Sequence, residues 1–221
     1  MHLISRVHNR ILSWRNLKYL NFILANYSGQ AEIVMEVGSC TGRLLRNFKR
    51  RGAFTYYNDL DIPEVKDAKR QLASIDGKPT EFLIGDFLKI AVPSRIDFIF
   101  STGLFHTISA ASQLQTLLKM SSISDSVFIL IPDLSDKKFI ETEAGSAPGR
   151  IGSKKYQLID LPKILSVKYE YIQQGTIRGK NLGVSHDFKF YYGGSLKTDL
   201  ESSRLSRLRY LFMNYFPIPP K

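Results

Sequence analysis

Three carboxylates and one glycine bend are the residues in this chain whose types and order suit them to hold a ligand: Glu36, Asp59, Asp86 and the stretch Ile33 to Gly42, IVMEVGSCTG. Ile33, Val34, Met35 and Val37 make a short, largely β-branched run of the kind buried on both faces of a sheet. Gly38 ends it. From Arg43 the pattern turns helical, with Leu44, Leu45 and Phe48 set among Arg46, Lys49, Arg50 and Arg51. A glycine turn between a buried strand and a helix directs backbone N–H groups at a ligand and lets it approach the main chain closely. The spacing E-x-G-x-x-x-G fits a dinucleotide site, a nucleoside site or an ordinary tight turn.

The next element narrows that choice. Phe54 to Asn58, FTYYN, reads as a second strand ending at Asp59, which lies 59 − 42 = 17 residues past Gly42. In a strand–helix–strand unit, a carboxylate at this tip stands where ribose hydroxyls lie and accepts hydrogen bonds from both. At these positions the chain resembles the class I S-adenosylmethionine-dependent methyltransferases. The family's glycine motif is matched by Glu36, Gly38 and Gly42, and its ribose acid by Asp59. FLIGDF, Phe82 to Phe87, resembles the third strand and the acid after it that in relatives binds the adenine amino group, here Asp86, with the Phe87 backbone beside the ring. IDFIFSTGLFHTI, Ile96 to Ile108, resembles the fourth strand and the loop that faces the transferred methyl. The motifs arrive in family order across residues 31 to 133.

The resemblance implies S-adenosyl-L-methionine as cofactor, held by Glu36, Gly38, Ser39, Cys40, Gly42, Asp59, Leu60, Asp86, Phe87 and Ser101. It implies His106 as the catalytic candidate, with a structural or substrate-orienting histidine as the alternative. Two departures stand out. Cys40, the sole cysteine, replaces the middle glycine of the family's motif, either as a small tolerated side chain or as a thiol that narrows the pocket. The family's frequent His-His pair after the fourth strand is His106-Thr107 here, so one imidazole is lost.

These residues need elements to hold them. Strands alternating with helices predict an α/β fold: a doubly wound, mostly parallel, seven-stranded Rossmann-like sheet with its ligand crevice at the strands' carboxyl ends. A polar helix is expected from Pro63 to Ser74 and a turn at Asp76-Gly77. A fourth strand, Asp97 to Phe100, should end in a loop, Ser101-Thr102-Gly103. Gln113 to Met120 reads as a helix and Ser126 to Ile131 as a fifth strand stopped by Pro132. Lys168 to Ile177 and Val184 to Tyr192 read as a terminal hairpin with one strand antiparallel. Residues 1–29 are expected to be helical, with Trp14, Leu17, Leu20, Leu24 and Tyr27 on one stripe that packs on the core, lies on an anionic membrane or lids the pocket. Residues 134–165, with Pro148-Gly149 as a turn, are expected to shape the acceptor pocket, and 203–216 to form a closing helix. All of this fits a single domain over 1–221.

Composition excludes little but directs the partner question. At 221 residues, 43% hydrophobic and 23% charged, the chain can bury a core without staples. One cysteine excludes an internal disulfide, and no apolar run has the length of a membrane span or a secretion signal, so the expected location is the cytoplasm, free or peripheral to a membrane. Of the net +11, residues 1–51 carry nine Lys and Arg against two acids, 52–150 ten against thirteen, and 151–221 twelve against five. The basic charge sits at the two ends and suits an anionic membrane surface or RNA. No zinc signature, G-x-S-x-G elbow or phosphate loop is present, and a nicotinamide enzyme would leave Gly85-Asp86-Phe87 unexplained. The absence of an N-P-P-Y-like motif favours a small-molecule or lipid acceptor. The alternatives are an RNA-modifying methyltransferase and a methyltransferase-like binding protein without catalysis.

Overall fold

Alternate residues of each central strand face opposite layers, and both layers are apolar, which explains why the strands read as continuous hydrophobic runs. The computed structural model describes residues 20–133, 158–181 and 184–194. Its strands are β1 (Ile33–Val37), β2 (Phe54–Asp59), β3 (Thr80–Ile84), β4 (Phe98–Thr102), β5 (Val127–Pro132), β6 (Tyr171–Asn181) and β7 (Val184–Gly194). They form one sheet in the order β3-β2-β1-β4-β5-β7-β6. The pairs from β3 through β5 are parallel, and β7 runs antiparallel to both β5 and β6. The expected mixed sheet with a terminal antiparallel hairpin is therefore what the chain forms.

The helices are α1 (residues 20–28), α2 (Leu45–Arg50), α3 (Glu64–Ala73), α4 (Ala110–Ile123) and α5 (Leu161–Leu165), with a 3-10 turn at Phe105–Thr107. On one face, Leu24 and Tyr27 of α1, Leu45 and Phe48 of α2 and Leu72 of α3 pack with Val34, Phe98, Phe100 and Phe128. On the other, Leu117 and Met120 of α4 and Leu161 and Leu165 of α5 pack with Met35, Val37, Ile99 and Ile129. The chain winds outward from β1 to β3, then returns to place β4 on β1's other side. The sheet's switch point thus falls between β1 and β4, where open α/β sheets bind ligands.

Several boundaries differ from expectation for identifiable reasons. The fourth strand does not stop at Phe100: Ser101 and Thr102 continue it because β5 runs on and pairs them with Ile129 and Leu130. The loop begins at Gly103, whose N–H donates to the Leu130 carbonyl at 3.0 Å. Asp97 lies outside the strand, and its carboxylate accepts the N–H groups of Glu32 and Ile33, both at 2.9 Å, fixing the start of β1. The third strand ends at Ile84, before Gly85 turns at φ +136. The α4 helix is longer than Gln113 to Met120 because Ser109 caps it, its hydroxyl accepting the Ser112 N–H at 3.2 Å. The α5 helix went unread: it is one short turn and a half inside residues 134–165, capped by Asp160, which accepts the Lys163 N–H at 3.1 Å. Trp14, Leu17, the Pro148-Gly149 turn and the 203–216 helix lie outside the described residues.

The described part of the N-terminal stripe packs on the core. Tyr27 is fully buried and its ring lies 4.6 Å from Tyr192, 5.4 Å from Phe128 and 5.5 Å from Phe190, joining α1 to β5 and β7. Removing so large a buried ring leaves a cavity that its neighbours fill only partly. Tyr27→Ala should therefore cost about 3–5 kcal/mol in urea denaturation. A loss under about 1 kcal/mol would show that α1 is not part of the core.

Candidate functional site

The carboxyl ends of β1, β2, β3 and β4 share one sheet edge. The register pairs Val37 with Asn58 and Asp59 with Ile84, and Glu36 with both Tyr57 and Phe100. Each strand then releases its chain at a residue of positive φ or a carboxylate: Gly38, Asp59, Gly85 and Gly103.

The glycine turn is anchored on β2. Gly38 and Ser39 both donate their N–H groups to the Asn58 carbonyl at 3.0 Å, and the Ser39 hydroxyl donates to the Glu36 carbonyl at 2.8 Å. Gly38 has φ +75, and a Cβ there would stand 3.2 Å from the Leu104 Cβ. Gly42 has φ +65, with the Leu72 side chain 3.0 Å from where its Cβ would be. Only glycine meets both conditions cheaply.

Cys40 is more than a small tolerated side chain. It holds φ +50, the one described non-glycine residue with positive φ. The middle position thus keeps the left-handed backbone of a glycine while carrying a thiol, at a cost of order 1–2 kcal/mol. Its N–H donates to Asp59 Oδ2 at 2.6 Å and its carbonyl accepts the Tyr57 hydroxyl at 2.5 Å. The thiol is exposed. Burial of its surroundings, then the Glu64 and Asp59 charges, raise its pKa, so it is a poor nucleophile at neutral pH. Tyr57 is fully buried, and burial followed by the Asp59 charge holds its hydroxyl protonated. Sequence reading placed Tyr57 on the strand but missed its bond to the turn, which depends on residues 17 apart folding back on one another.

Glu36 is 2% exposed, and its Oε2 has no hydrogen-bond partner. Burial, with the Asp59 charge adding, raises its carboxyl well above the usual range. On β4, one residue past the position opposite Glu36, Ser101 is fully buried and its Oγ also lacks a partner. Asp59 accepts from Cys40 and, through Oδ1, from the N–H of exposed Leu60 at 2.8 Å. A carboxylate has about four lone-pair sites, so hydroxyls can still bond to it.

Asp86 organises the loop after β3. Its Oδ1 accepts the Leu88 N–H at 3.0 Å, and its Oδ2 lies 3.6 Å from Lys89 Nζ. Asn58 reaches across from β2 to donate to the Gly85 carbonyl at 3.1 Å. The Phe87 ring is buried in the core rather than presented to the edge, which leaves the Phe87 main chain as the part able to meet a ligand.

His106 occupies the 3-10 turn after β4, and its Cε1 would stand 3.8 Å from a Cβ on Gly103. Burial lowers its pKa from 6.5 to about 4. The imidazole is therefore neutral at physiological pH and a weak base, which suits orienting an acceptor better than removing its proton. The turn is braced by Gln113, which sequence reading saw only as a helix residue. Gln113 is 2% exposed; its Nε2 donates to the carbonyls of Phe105 at 2.9 Å and Ile108 at 3.1 Å, and its Oε1 accepts the Ile159 N–H at 3.1 Å. One side chain thus ties the post-β4 turn to the segment leading into α5. A buried glutamine was the available signal, but its partners are unreadable without the fold.

The edge fits an adenosyl amino acid. It offers a buried carboxylate oxygen and a buried hydroxyl without partners, a glycine turn after β1, and a strand-tip carboxylate with spare acceptor sites. The comparisons agree. Residues 35–122 match the family described as "Methyltransferase domain". An uncharacterized methyltransferase of Geobacillus thermodenitrificans is 30% identical over 122 residues, 55% of this chain and 53% of that protein, so the chain spans about half the length of the curated relative it matches. The magnesium protoporphyrin IX methyltransferase of Synechocystis, solved with bound S-adenosylhomocysteine, superposes with a TM-score of 0.63 at 15% identity, covering 84% of this chain and 85% of that one. A putative RNA methyltransferase of Pyrococcus horikoshii gives 0.55 at 18%, covering 80% and 82%. Over residues 35–122 the chain is thus similar to a methyltransferase domain, and its sheet has the fold of methyltransferases solved with S-adenosylmethionine or S-adenosylhomocysteine bound. Among the described residues no group of His, Cys, Asp or Glu is placed to hold a metal, and no helix is long and apolar enough to cross a membrane.

Two measurements check this geometry. Cys40→Gly relieves the left-handed strain but loosens the unfolded chain, so stability should stay within about 1 kcal/mol of wild type. A β-branched Cys40→Val should lose about 1–2 kcal/mol or more; equal stabilities would remove the strain argument. Because the His106 pKa falls from 6.5 to about 4 on folding, the unfolded chain binds the proton first. Stability should then drop by about 3 kcal/mol at most as pH falls through that window, and His106→Asn should flatten the drop. In NMR titration, Gln113→Ala should move the His106 midpoint back toward 6.5 by opening the turn to water; an unmoved midpoint would separate Gln113 from the turn's burial.

Proposed function

We propose that the protein transfers the methyl group of S-adenosyl-L-methionine to a small-molecule or lipid acceptor by in-line displacement. The observation that carries the transfer is the buried Glu36 carboxylate, whose Oε2 has no partner, on the strand that leads into a glycine turn anchored to Asp59. The cofactor supplies a methyl already activated by its sulfonium charge. What is left to the chain is to bind, orient and exclude water, so proximity can supply much of the acceleration. Gly38 and Gly42 let the main chain come close, Asp59 takes the ribose hydroxyls, and Asp86 with the Phe87 backbone reads the adenine. Neutral His106 orients the acceptor.

The acceptor class rests on the turn after β4. Half-buried Leu104 and Ile108 give it an apolar character, and it lacks the polar motif with which many nucleic-acid amino-methylating relatives hold a base. The fold neighbour named for a magnesium protoporphyrin supports a small or lipidic acceptor by analogy. An RNA substrate is the second reading, favoured by Arg43, Arg46, Arg50 and Arg51, in a stretch free of acids, and by the neighbour named as a putative RNA methyltransferase. A binding protein without catalysis is the third, suggested by Cys40 and Thr107. On the first reading the protein works in the cytoplasm, with its basic ends available to an anionic membrane.

Isothermal titration with S-adenosylhomocysteine is the first test. Asp59→Ala removes charge-assisted bonds to two hydroxyls, each worth about 1.5–3 kcal/mol at most, so affinity should fall at least about tenfold. Unchanged affinity would take Asp59 out of the cofactor site. Methyl release over an acceptor panel then distinguishes the enzyme readings from the binding protein, and a steep salt dependence of RNA binding would favour the second reading.

A further inference from the structure

Lys119 lies on α4, outside every motif stretch, and nothing in the glycine bend or the strand-tip acids predicts a use for it. Its ammonium donates to the Phe87 carbonyl at 2.6 Å and to the Ile90 carbonyl at 2.8 Å. The same nitrogen stands 5.0 Å from the centre of the Phe87 ring. No carboxylate pairs with it among the described ion pairs. A cation spent on two main-chain carbonyls of one loop is a clamp on that loop's backbone.

The loop is the one that Asp86 opens. Gly85 enters it at φ +136, with the Ile90 side chain 2.9 Å from where a Cβ would sit, so the two ends of the loop touch. The N–H groups of Lys89 and Ile90 return to the Asp86 carbonyl at 2.8 and 3.1 Å. Within this tight turn the Phe87 ring is buried and its carbonyl is held, which fixes the two dihedrals that flank its Cα. Asp86 Oδ1 accepts the Leu88 N–H, which shares a peptide plane with that carbonyl, so the same dihedrals relate the Phe87 N–H to the Asp86 carboxylate.

We propose that Lys119 is a positioning residue for the cofactor's purine: by clamping the 87–90 main chain from α4, it sets the Phe87 N–H and the Asp86 carboxylate at the spacing that distinguishes adenine from a 6-oxo purine. The inference rests on the methyltransferase reading above. Adenine presents a donor amino group beside a ring-nitrogen acceptor, whereas hypoxanthine presents an acceptor beside a donor. A main-chain N–H next to a carboxylate matches the first pattern and opposes the second, but only while both groups are held in register. Gln113 and Lys119 then give α4 two separate tasks, one at the acceptor turn and one at the purine loop.

The test is titration of full-length wild type, Lys119→Met, Lys119→Gln and Lys119→Arg with S-adenosylhomocysteine and with S-inosylhomocysteine, its hypoxanthine counterpart. Wild type should prefer the adenine ligand. Lys119→Met, folded by circular dichroism, should weaken S-adenosylhomocysteine by about tenfold, the scale of a lost charge-assisted bond, while leaving S-inosylhomocysteine nearly unchanged, so that discrimination collapses. Lys119→Gln, which keeps a donor on a shorter arm, should fall between, and Lys119→Arg should restore most of the preference; these two carry the test if the Met variant does not fold. Equal weakening of both ligands, or unchanged discrimination in a folded variant, would overturn the proposal. Failure of wild type to bind S-adenosylhomocysteine at all would instead overturn the methyltransferase reading.

Discussion

Everything at the functional edge depends on the glycine turn after β1 being bonded to the tip of β2. Two N–H groups converge on the Asn58 carbonyl, the next N–H goes to the Asp59 carboxylate, and the Tyr57 hydroxyl returns to the Cys40 carbonyl. Three consecutive residues of one strand thus hold three consecutive residues of the turn. Parallel pairing in register makes this possible, because Val37 lies opposite Asn58 and both chains leave the sheet together. The arrangement is rigid enough to hold Cys40 in a backbone conformation that its side chain disfavours.

The same edge keeps polar groups that folding alone would discard. Glu36 and Ser101, on neighbouring strands, are buried and have no partners for Oε2 and Oγ. An unsatisfied buried polar group costs of order 1–3 kcal/mol, and a charged carboxylate more. The raised Glu36 pKa expresses that cost as proton affinity. A ligand with donors in the right places recovers it, so the stability lost in the free protein becomes binding energy. The opposite shift at His106 has the same origin, burial, acting on a group whose charged form is the protonated one.

The α4 helix has a role beyond covering the sheet. Its buried face fills the core with Leu117 and Met120, while Gln113 and Lys119 each spend their polar ends on main-chain carbonyls of a different loop. Loops that must present backbone groups to a ligand cannot satisfy all of their own carbonyls. A helix packed behind them can.

The sequence by itself determined the order of the strands and of the helices before β5, the mixed sheet with its terminal hairpin, and the candidacy of Glu36, Gly38, Gly42, Asp59 and Asp86. Those features are local: hydrophobic period, β-branching, glycine punctuation and carboxylates at strand ends are written in consecutive residues. Tertiary structure decided what Cys40 is, because a left-handed φ arises from bonds to residues 17 and 19 positions away. It decided that β4 runs on through Ser101 and Thr102, since strand length depends on the partner that β5 supplies. It decided that the Phe87 ring turns inward, that Gln113 and Lys119 brace the loops, and that burial makes His106 a weak base. A side chain's partner, its desolvation and its pKa depend on what the fold brings beside it, and no spacing along the chain encodes that directly.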